Sequence, residues 1–160
     1  LIMKNILFTL ALLISFSSFG QSYEEFNFSD LKRISSEKQW KRFAFEKGFT
    51  RISSSEYSSA YALSYDSDSK EANIWAYYYP KSGVFEMTLV KNIGGTPNKS
   101  YESVLKQVKR ECVFFDFIED SDKEYICYTC KNSSYPGKIG FSRGKDGSDY
   151  IKIFLPYRFN

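Results

Sequence analysis

The segment Asn73-Ile74-Trp75-Ala76-Tyr77-Tyr78-Tyr79-Pro80 alternates smaller and larger side chains and ends in a proline. A period of two is typical of a β-strand, so Ile74 and Ala76 are expected on one side of a sheet. The larger aromatic residues are then expected on the other side, as a row formed by Trp75, Tyr77 and Tyr79. Because helices pack best on the flatter side of small residues, we expect this aromatic row to face outward, where it is available to a partner.

Other segments show the same alternation and are predicted to be strands of the same sheet. They are residues 61–65, 84–90, 124–130, 138–142 and 150–155. Short connections rich in Gly, Pro, Asp and Ser separate several of them, as is usual in antiparallel sheets. Residues 50–59 are serine-rich and predict a loop that can include a short strand at Arg51-Ile52. We therefore expect a mainly antiparallel sheet of about six strands.

Two helices are predicted beside this sheet. The first begins after Ser36, which can form a capping box with Gln39, and it ends at Gly48. The second begins near Ser100 and is expected to continue to about Phe117, because apolar residues recur there at helical spacing. Two helices can cover one face of a six-stranded sheet. The predicted fold is therefore α+β, with two helices packed on one face and the other face open.

In this prediction a helix followed by three strands occurs twice, in residues 29–93 and 99–156. A tandem repeat is one explanation, and a chance similarity of element order between two parts of an α+β domain is the other. On this element order and on its outward aromatic residues, the chain resembles the beta-lactamase inhibitor proteins. These are secreted bacterial domains that grip an enzyme with an aromatic-rich concave sheet. No residue motif carries the resemblance, and the pair of disulfides of that family is missing here.

Residues 1–20 have the form of a signal peptide. Lys4 supplies a basic start, residues 6–16 are apolar, and Ser18-Phe19-Gly20 offers small residues, Ser18 and Gly20, at the positions that a signal peptidase reads. The apolar run is too short for a transmembrane helix, so no stable membrane anchor is expected after cleavage. We predict cleavage after Gly20 and a single α+β domain in residues 21–160, exported to the periplasm or the extracellular space.

Composition argues against several classes of function. Without residues 1–20, whose only charged side chain is Lys4, the 22 basic and 19 acidic residues become 21 and 19, a net charge of +2. This near-neutral balance gives no sign of nucleic-acid binding. The chain contains no histidine, which excludes Ser-His-Asp and Cys-His catalysis and makes an ordinary zinc, copper or haem site unexpected. We predict no cofactor, no metal and no enzymatic activity.

An enzyme without histidine would have to rely on carboxylates or tyrosines. The candidate carboxylates occur close together in the chain, at Asp116, Glu119, Asp120 and Asp122. An acid and base pair could in principle come from this group. The prediction places these residues in a helix end and a polar loop, so a solvated connection is the simpler interpretation.

Three cysteines, Cys112, Cys127 and Cys130, follow the predicted signal peptide. An exported protein meets an oxidising compartment, so we expect a disulfide. Cys127 and Cys130 are three residues apart on a predicted strand, which separates their Cα atoms by about 10 Å and prevents pairing. A bridge between Cys112 and Cys127 is favoured because both are expected to face inward. Cys112 with Cys130 is the competing pair, and three reduced cysteines are the remaining alternative.

The strand pattern gathers a candidate binding face on the side of the sheet away from the helices. Its residues are Trp75, Tyr77, Tyr79, Glu86, Tyr150, Lys152 and Phe154. Tyrosine and tryptophan with few charges are typical of the core of a protein interface. The alternative is that tyrosine and tryptophan occur here only because they form good strands.

These observations predict an exported, non-enzymatic binding module, inhibitor-like or immunity-like, whose partner is another protein. The alternative function is a carrier of a small apolar or aromatic ligand held between the helices and the sheet. The surplus of large aromatic residues, 19% of the chain, motivates this alternative because large rings can leave a pocket where they fail to close-pack.

Overall fold

The computed structural model describes residues 25–90, 98–120, 122–130 and 137–155. Within them lie three helices, α1 (Phe28–Leu31), α2 (Glu37–Glu46) and α3 (Lys99–Glu111). The strands are β1 (Thr50–Ser54), β2 (Ser59–Leu63), β3 (Ile74–Tyr79), β4 (Val84–Leu89), β5 (Val113–Asp120), β6 (Lys123–Thr129), β7 (Lys138–Arg143) and β8 (Asp149–Phe154). The predicted signal peptide, residues 1–20, lies outside the described residues.

All eight strands join one sheet in the order β1-β2-β3-β4-β8-β7-β6-β5. Every pairing between them is antiparallel, including that of β4 with β8 at the centre. The strands β1 and β5 are therefore the two edges. The predicted α+β class with an antiparallel sheet is confirmed, whereas the predicted number of six strands is wrong.

The two additional strands explain the error. β1 occupies the serine-rich segment predicted as a loop that can include a short strand at Arg51-Ile52. All five residues of β1 are exposed, so it shows no apolar alternation and was not counted among the six strands. β5 occupies the segment predicted as the end of the second helix. That segment is rich in phenylalanine and contains Val113 and Ile118, which favour a strand, and its backbone pairs with β6. The predicted repeat of a helix plus three strands is not found, since α2 and α3 each precede four strands.

The helices pack on one side of the sheet, which we call the helix side. α2 begins with Ser36 as its N-cap, whose hydroxyl accepts a hydrogen bond from the Gln39 amide at 3.3 Å. It is followed by Gly48, whose φ of 77° is readily accessible to glycine. Trp40 on α2 is fully buried, with its ring centroid 5.1 Å from that of Phe85 on β4. Aromatic side chains therefore fill the helix side of the sheet over β1–β4.

α3 packs against β8 and holds Glu25, the first described residue, through Ser100. Its N-cap is Asn98, whose side chain accepts a hydrogen bond from the Ser100 amide at 2.9 Å. The Ser100 hydroxyl donates to Glu25 Oε2 at 2.7 Å and accepts from the Glu25 amide at 2.8 Å. Val104 and Val108 are fully buried in the same core as the residues of α1 and α2. The three helices therefore share one core with the helix side of the sheet.

Candidate functional site

The strand register places all seven predicted binding residues on the side of the sheet opposite the helices. They lie in three cross-strand rows on β3, β4 and β8: Trp75–Thr88–Tyr150, Tyr77–Glu86–Lys152 and Tyr79–Val84–Phe154. Alternate residues of the same strands, such as Ile74 and Ile151, are buried in the core on the helix side. We call the surface formed by Trp75, Tyr77, Tyr79, Glu86, Tyr150, Lys152 and Phe154 the aromatic face.

The row on β3 forms a regular stack of rings. The ring centroids of Trp75 and Tyr77 are 6.4 Å apart with an interplanar angle of 15°. Those of Tyr77 and Tyr79 are also 6.4 Å apart, at 23°. Tyr65 extends the row with an edge-on contact to Trp75 at 5.8 Å. All three rings on β3 are half-buried, so the packing fixes their orientation while part of each ring meets solvent.

Burial raises the pKa of the Tyr77 hydroxyl, and the nearby Glu86 carboxylate adds to the increase. The pKa of Tyr79 is raised for the same two reasons, in the same order. Both hydroxyls are therefore protonated at neutral pH and able to donate hydrogen bonds. A row of neutral tyrosines combines apolar ring surface with donors, which suits recognition of another protein.

Lys152 lies at the centre of the aromatic face and is almost completely buried. Its Nζ is 2.8 Å from Glu86 Oε2 and donates a short hydrogen bond to Asp120 Oδ2. It also lies 4.9 Å from the ring centroid of Tyr125. Burial alone would lower the pKa of Lys152, but the contacts with Asp120 and Glu86 outweigh it and the pKa is raised. The ammonium therefore remains charged and paired on both sides.

The contact between Lys152 and Asp120 requires a strongly curled sheet. The two residues lie on β8 and β5, which are separated by β7 and β6 and would be about 14 Å apart in a flat sheet. Gly140 on β7 permits the curl, because a Cβ atom there would lie 2.9 Å from Cys127 Sγ and 3.1 Å from Tyr125 Cβ. The second half of the sheet therefore bends toward the aromatic face.

This curl closes part of the aromatic face. Tyr125, Cys127 and Tyr150 form a second small core, against which Ile118 and Phe154 pack. The Tyr125 hydroxyl is buried without a hydrogen-bond partner among the described residues, and burial raises its pKa. Of the predicted residues, Tyr150 and Lys152 are thus covered by neighbouring side chains. Trp75, Tyr77, Tyr79, Glu86 and Phe154 remain partly accessible.

Sequence reasoning did not find Asp120 and Tyr125 as members of this face. The sequence pattern predicts Asp120 in a polar loop, whereas the structure has it as the last residue of β5. Tyr125 and Cys127 alternate with Ile126 and Tyr128 along β6, and this pattern alone predicts that they share one side of the sheet. The curl that brings them over Lys152 has no comparable signal, because it depends on contacts between distant strands.

The predicted bridge between Cys112 and Cys127 is wrong. Cys112 is bonded to Cys130, with their Cα atoms 4.2 Å apart, and Cys127 is free and buried. The cause is the early end of α3 at Glu111, after which Val113 pairs with Thr129 and so aligns Cys112 with Cys130. Cys127 faces the opposite side of the sheet, where burial raises the pKa of its thiol to about 11.

The four carboxylates considered for an acid and base pair are distributed over and beside β5. Asp116 pairs with Cys127 and Glu119 with Glu124, on opposite sides of the sheet, while Asp120 contacts Lys152. Asp122 is exposed in the turn after the strand. In the described ranges, no group of three or more Asp, Glu and Cys side chains is placed to hold a metal ion.

An open groove lies on the helix side, between α3 and the strands β6 and β7. It has a volume of about 820 Å³ and is lined in part by Tyr101, Leu105, Ile126, Tyr128, Phe141 and Arg143. The Arg143 side chain bridges Asp149 at 2.7 Å and Glu102 at 2.9 Å, and burial raises the pKa of Tyr101 to about 12. This groove is where the small-ligand hypothesis would place its ligand, and that hypothesis stays a prediction.

None of the helices in the described ranges combines the length and apolar character needed to cross a bilayer. No protein-family model, no curated protein and no solved structure was found to match the chain.

Proposed function

We propose that this protein is an exported, non-enzymatic binding module that holds a protein partner on the accessible part of the aromatic face. The observation that carries the proposal is the stacked row Trp75, Tyr77 and Tyr79, whose half-buried rings are already ordered before any partner arrives. Rigid aromatic side chains lose little conformational entropy on binding, which is why they are frequent at interface hot spots.

The charges around the row also favour a protein partner. Glu86 lies beside Tyr77 in the cross-strand register, and Lys152 neutralises it from the next strand. A surface of aromatic rings with internally paired charges has the composition of an interface core. A nucleic acid would instead require unpaired cations to neutralise its phosphates.

Two features support export. Residues 1–20 have the sequence pattern of a signal peptide, and the bond between Cys112 and Cys130 is of a kind that persists in oxidising compartments. An inhibitor-like or immunity-like role fits such a module, because both act by covering a partner rather than by chemistry. The identity of the captured partner, an enzyme or a toxin, separates these two roles.

The test is a pull-down from the cell envelope of the producing organism. Wild-type protein is compared with the double variant Trp75→Ala plus Tyr77→Ala and with Phe45→Ala, which removes an aromatic ring that is 85% exposed on α2. We expect a partner that wild type and Phe45→Ala recover and the double variant loses. Thermal unfolding of all three proteins controls for folding. Recovery of every partner by the double variant in the same amount as by wild type would contradict the proposal.

A further inference from the structure

The edge strand β5 exposes apolar side chains that none of the three described helices covers. Phe114 and Phe117 are each 53% exposed, and Ile126 on the adjacent β6 is 41% exposed. Phe114 pairs with Tyr128 and Phe117 with Ile126 in the β5–β6 register, so these side chains form a continuous strip on the helix side. α3 ends at Glu111, before β5 begins, and leaves this strip open.

The strip continues into the open groove beside α3. Ile126 and Tyr128 line both, and the Tyr128 ring lies 6.4 Å from Phe114 and 6.0 Å from Phe141. A contiguous apolar surface of this kind is characteristic of an interaction site in a soluble protein. Within the described residues, nothing of this chain covers it.

The strip ends at a pair of carboxylates. Glu119 and Glu124 lie directly opposite each other in the β5–β6 register and both are exposed. Among the described residues, neither carboxylate forms an ion pair. Glu124 lines the open groove beside α3, and Lys109 on α3 lines this groove too without pairing with Glu124. Like charges directly opposite in a sheet are destabilising, so this pair favours a cation supplied from outside.

Among the described strands, β5 is the last of the sheet, so one of its two backbone edges has no strand from those residues beside it. An edge strand presents backbone donors and acceptors to which an extended segment can add. A second copy of the chain pairing through β5 would not satisfy the carboxylates, because Val113–Asp120 contains three acidic residues and no basic one.

We propose that β5 receives an extended segment of a partner protein, in which apolar residues and a lysine or arginine occupy alternate positions. The apolar side chains cover Phe114 and Phe117, and the basic side chain lies against Glu119 and Glu124. This surface lies at the edge and on the helix side of the sheet, so the inference does not rest on the aromatic face.

The experiment is a fluorescence anisotropy titration of the full chain with labelled peptides. In the probe, valine, valine and lysine occupy alternate positions and threonine fills the others, and it is made in both sequence directions. We expect saturable binding of one direction. Replacing lysine by glutamate should weaken binding at least about tenfold, because the charged contact becomes repulsive. Methylating the backbone amides on the pairing edge should abolish it, because those amides form the ladder.

Variants of exposed residues complete the test without disturbing the core. Glu119→Lys plus Glu124→Lys should lose the lysine probe and bind the glutamate probe instead. Phe117→Ser should weaken binding, while Phe45→Ser on α2 and the pair Trp75→Ala plus Tyr77→Ala should leave it unchanged. Absence of binding by both lysine probes, or equal binding after the charge swap, overturns the proposal. So does a dimer in sedimentation velocity that Phe117→Ser dissociates, since a second copy would then occupy the strand.

Discussion

The two halves of the sheet expose opposite faces. In β1–β4, the helix side is filled by Trp40 and its aromatic neighbours, and the row on β3 is partly open to solvent. In β5–β8, the aromatic face is closed over Lys152 by its own side chains, and the helix side is open at Phe117 and Ile126. Similar alternation along the strands therefore gives different surfaces, because curvature and helix length decide which side is covered.

The helix lengths account for part of this difference. α3 packs over the central strand β8 and against α1, and the chain then turns directly into β5. No helix in the described ranges is left to cover β5 and β6, the two strands at that edge of the sheet. The curl through Gly140 accounts for the rest, because it folds β5 and β6 toward Lys152 and away from α3.

The largest effect is expected from truncating the filled helix side. Trp40→Ala should lower the free energy of unfolding by about 3–5 kcal/mol, because it leaves a cavity among Phe43, Tyr61 and Phe85. The matched change on the open half, Phe117→Ala, should cost about 1 kcal/mol or less. Chemical denaturation of both variants measures the contrast. Equal losses would mean that the two halves are covered to the same extent.

Lys152→Met tests the closed part of the aromatic face. This variant should lower the free energy of unfolding by about 3 kcal/mol, because Glu86 and Asp120 lose the cation between them. The pKa of Lys152 is raised above 10.5 in the folded protein. The stability that its charge contributes is therefore complete below pH 10.5 and is lost as the pH rises through the folded-state pKa. The difference between wild type and variant in urea unfolding should therefore shrink at alkaline pH.

The control for this change neutralises the two carboxylates as well. Adding Glu86→Gln and Asp120→Asn to Lys152→Met should recover part of the lost stability, because no uncompensated charge then remains buried. A triple variant as unstable as the single one would contradict the role assigned to the ion pairs.

The disulfide joins Cys112 at the end of α3 to Cys130, which directly follows β6 in the second half of the sheet. Cys112→Ala plus Cys130→Ala should cost about 3 kcal/mol, since the bond closes a loop of 18 residues. Alkylation of the denatured, non-reduced protein should label one cysteine, Cys127, and three after reduction. In the folded protein at neutral pH, Cys127 should resist labelling because it is buried and its pKa is raised. A label on Cys130 would contradict the pairing.

The smallest effect concerns the curl. Gly140→Ala should lower the free energy of unfolding by about 1–3 kcal/mol, because the added methyl group overlaps Cys127 Sγ. The companion variant Gly140→Ala plus Cys127→Ala should regain part of this loss by removing the sulfur. An increase in stability on Gly140→Ala, as expected where alanine fits without strain, would contradict the close approach of Cys127 and Tyr125 to Gly140.

The predictions from sequence were accurate where the signal is local. The alternation in residues 73–80 placed Trp75, Tyr77 and Tyr79 on one side, and the cap at Ser36 and the glycine at Gly48 bounded α2 correctly. They were wrong in the segment after Glu111. Val113–Asp120 can continue a helix by its spacing but is a strand by its residue types, and pairing with β6 selects the strand. That error also produced the wrong disulfide and one of the two missing strands. The other missing strand, β1, was not recognised because all five of its residues are exposed and show no apolar alternation.

Local sequence was sufficient for the α+β class, the sides of the central strands and the candidate aromatic row, because side-chain periodicity is a property of a few consecutive residues. The closure of the second half, the partners of Lys152 and the exposed edge of β5 depend on residues far apart in the chain. They arise from the strand order and from the curl at Gly140, and both are set by packing between elements rather than within them.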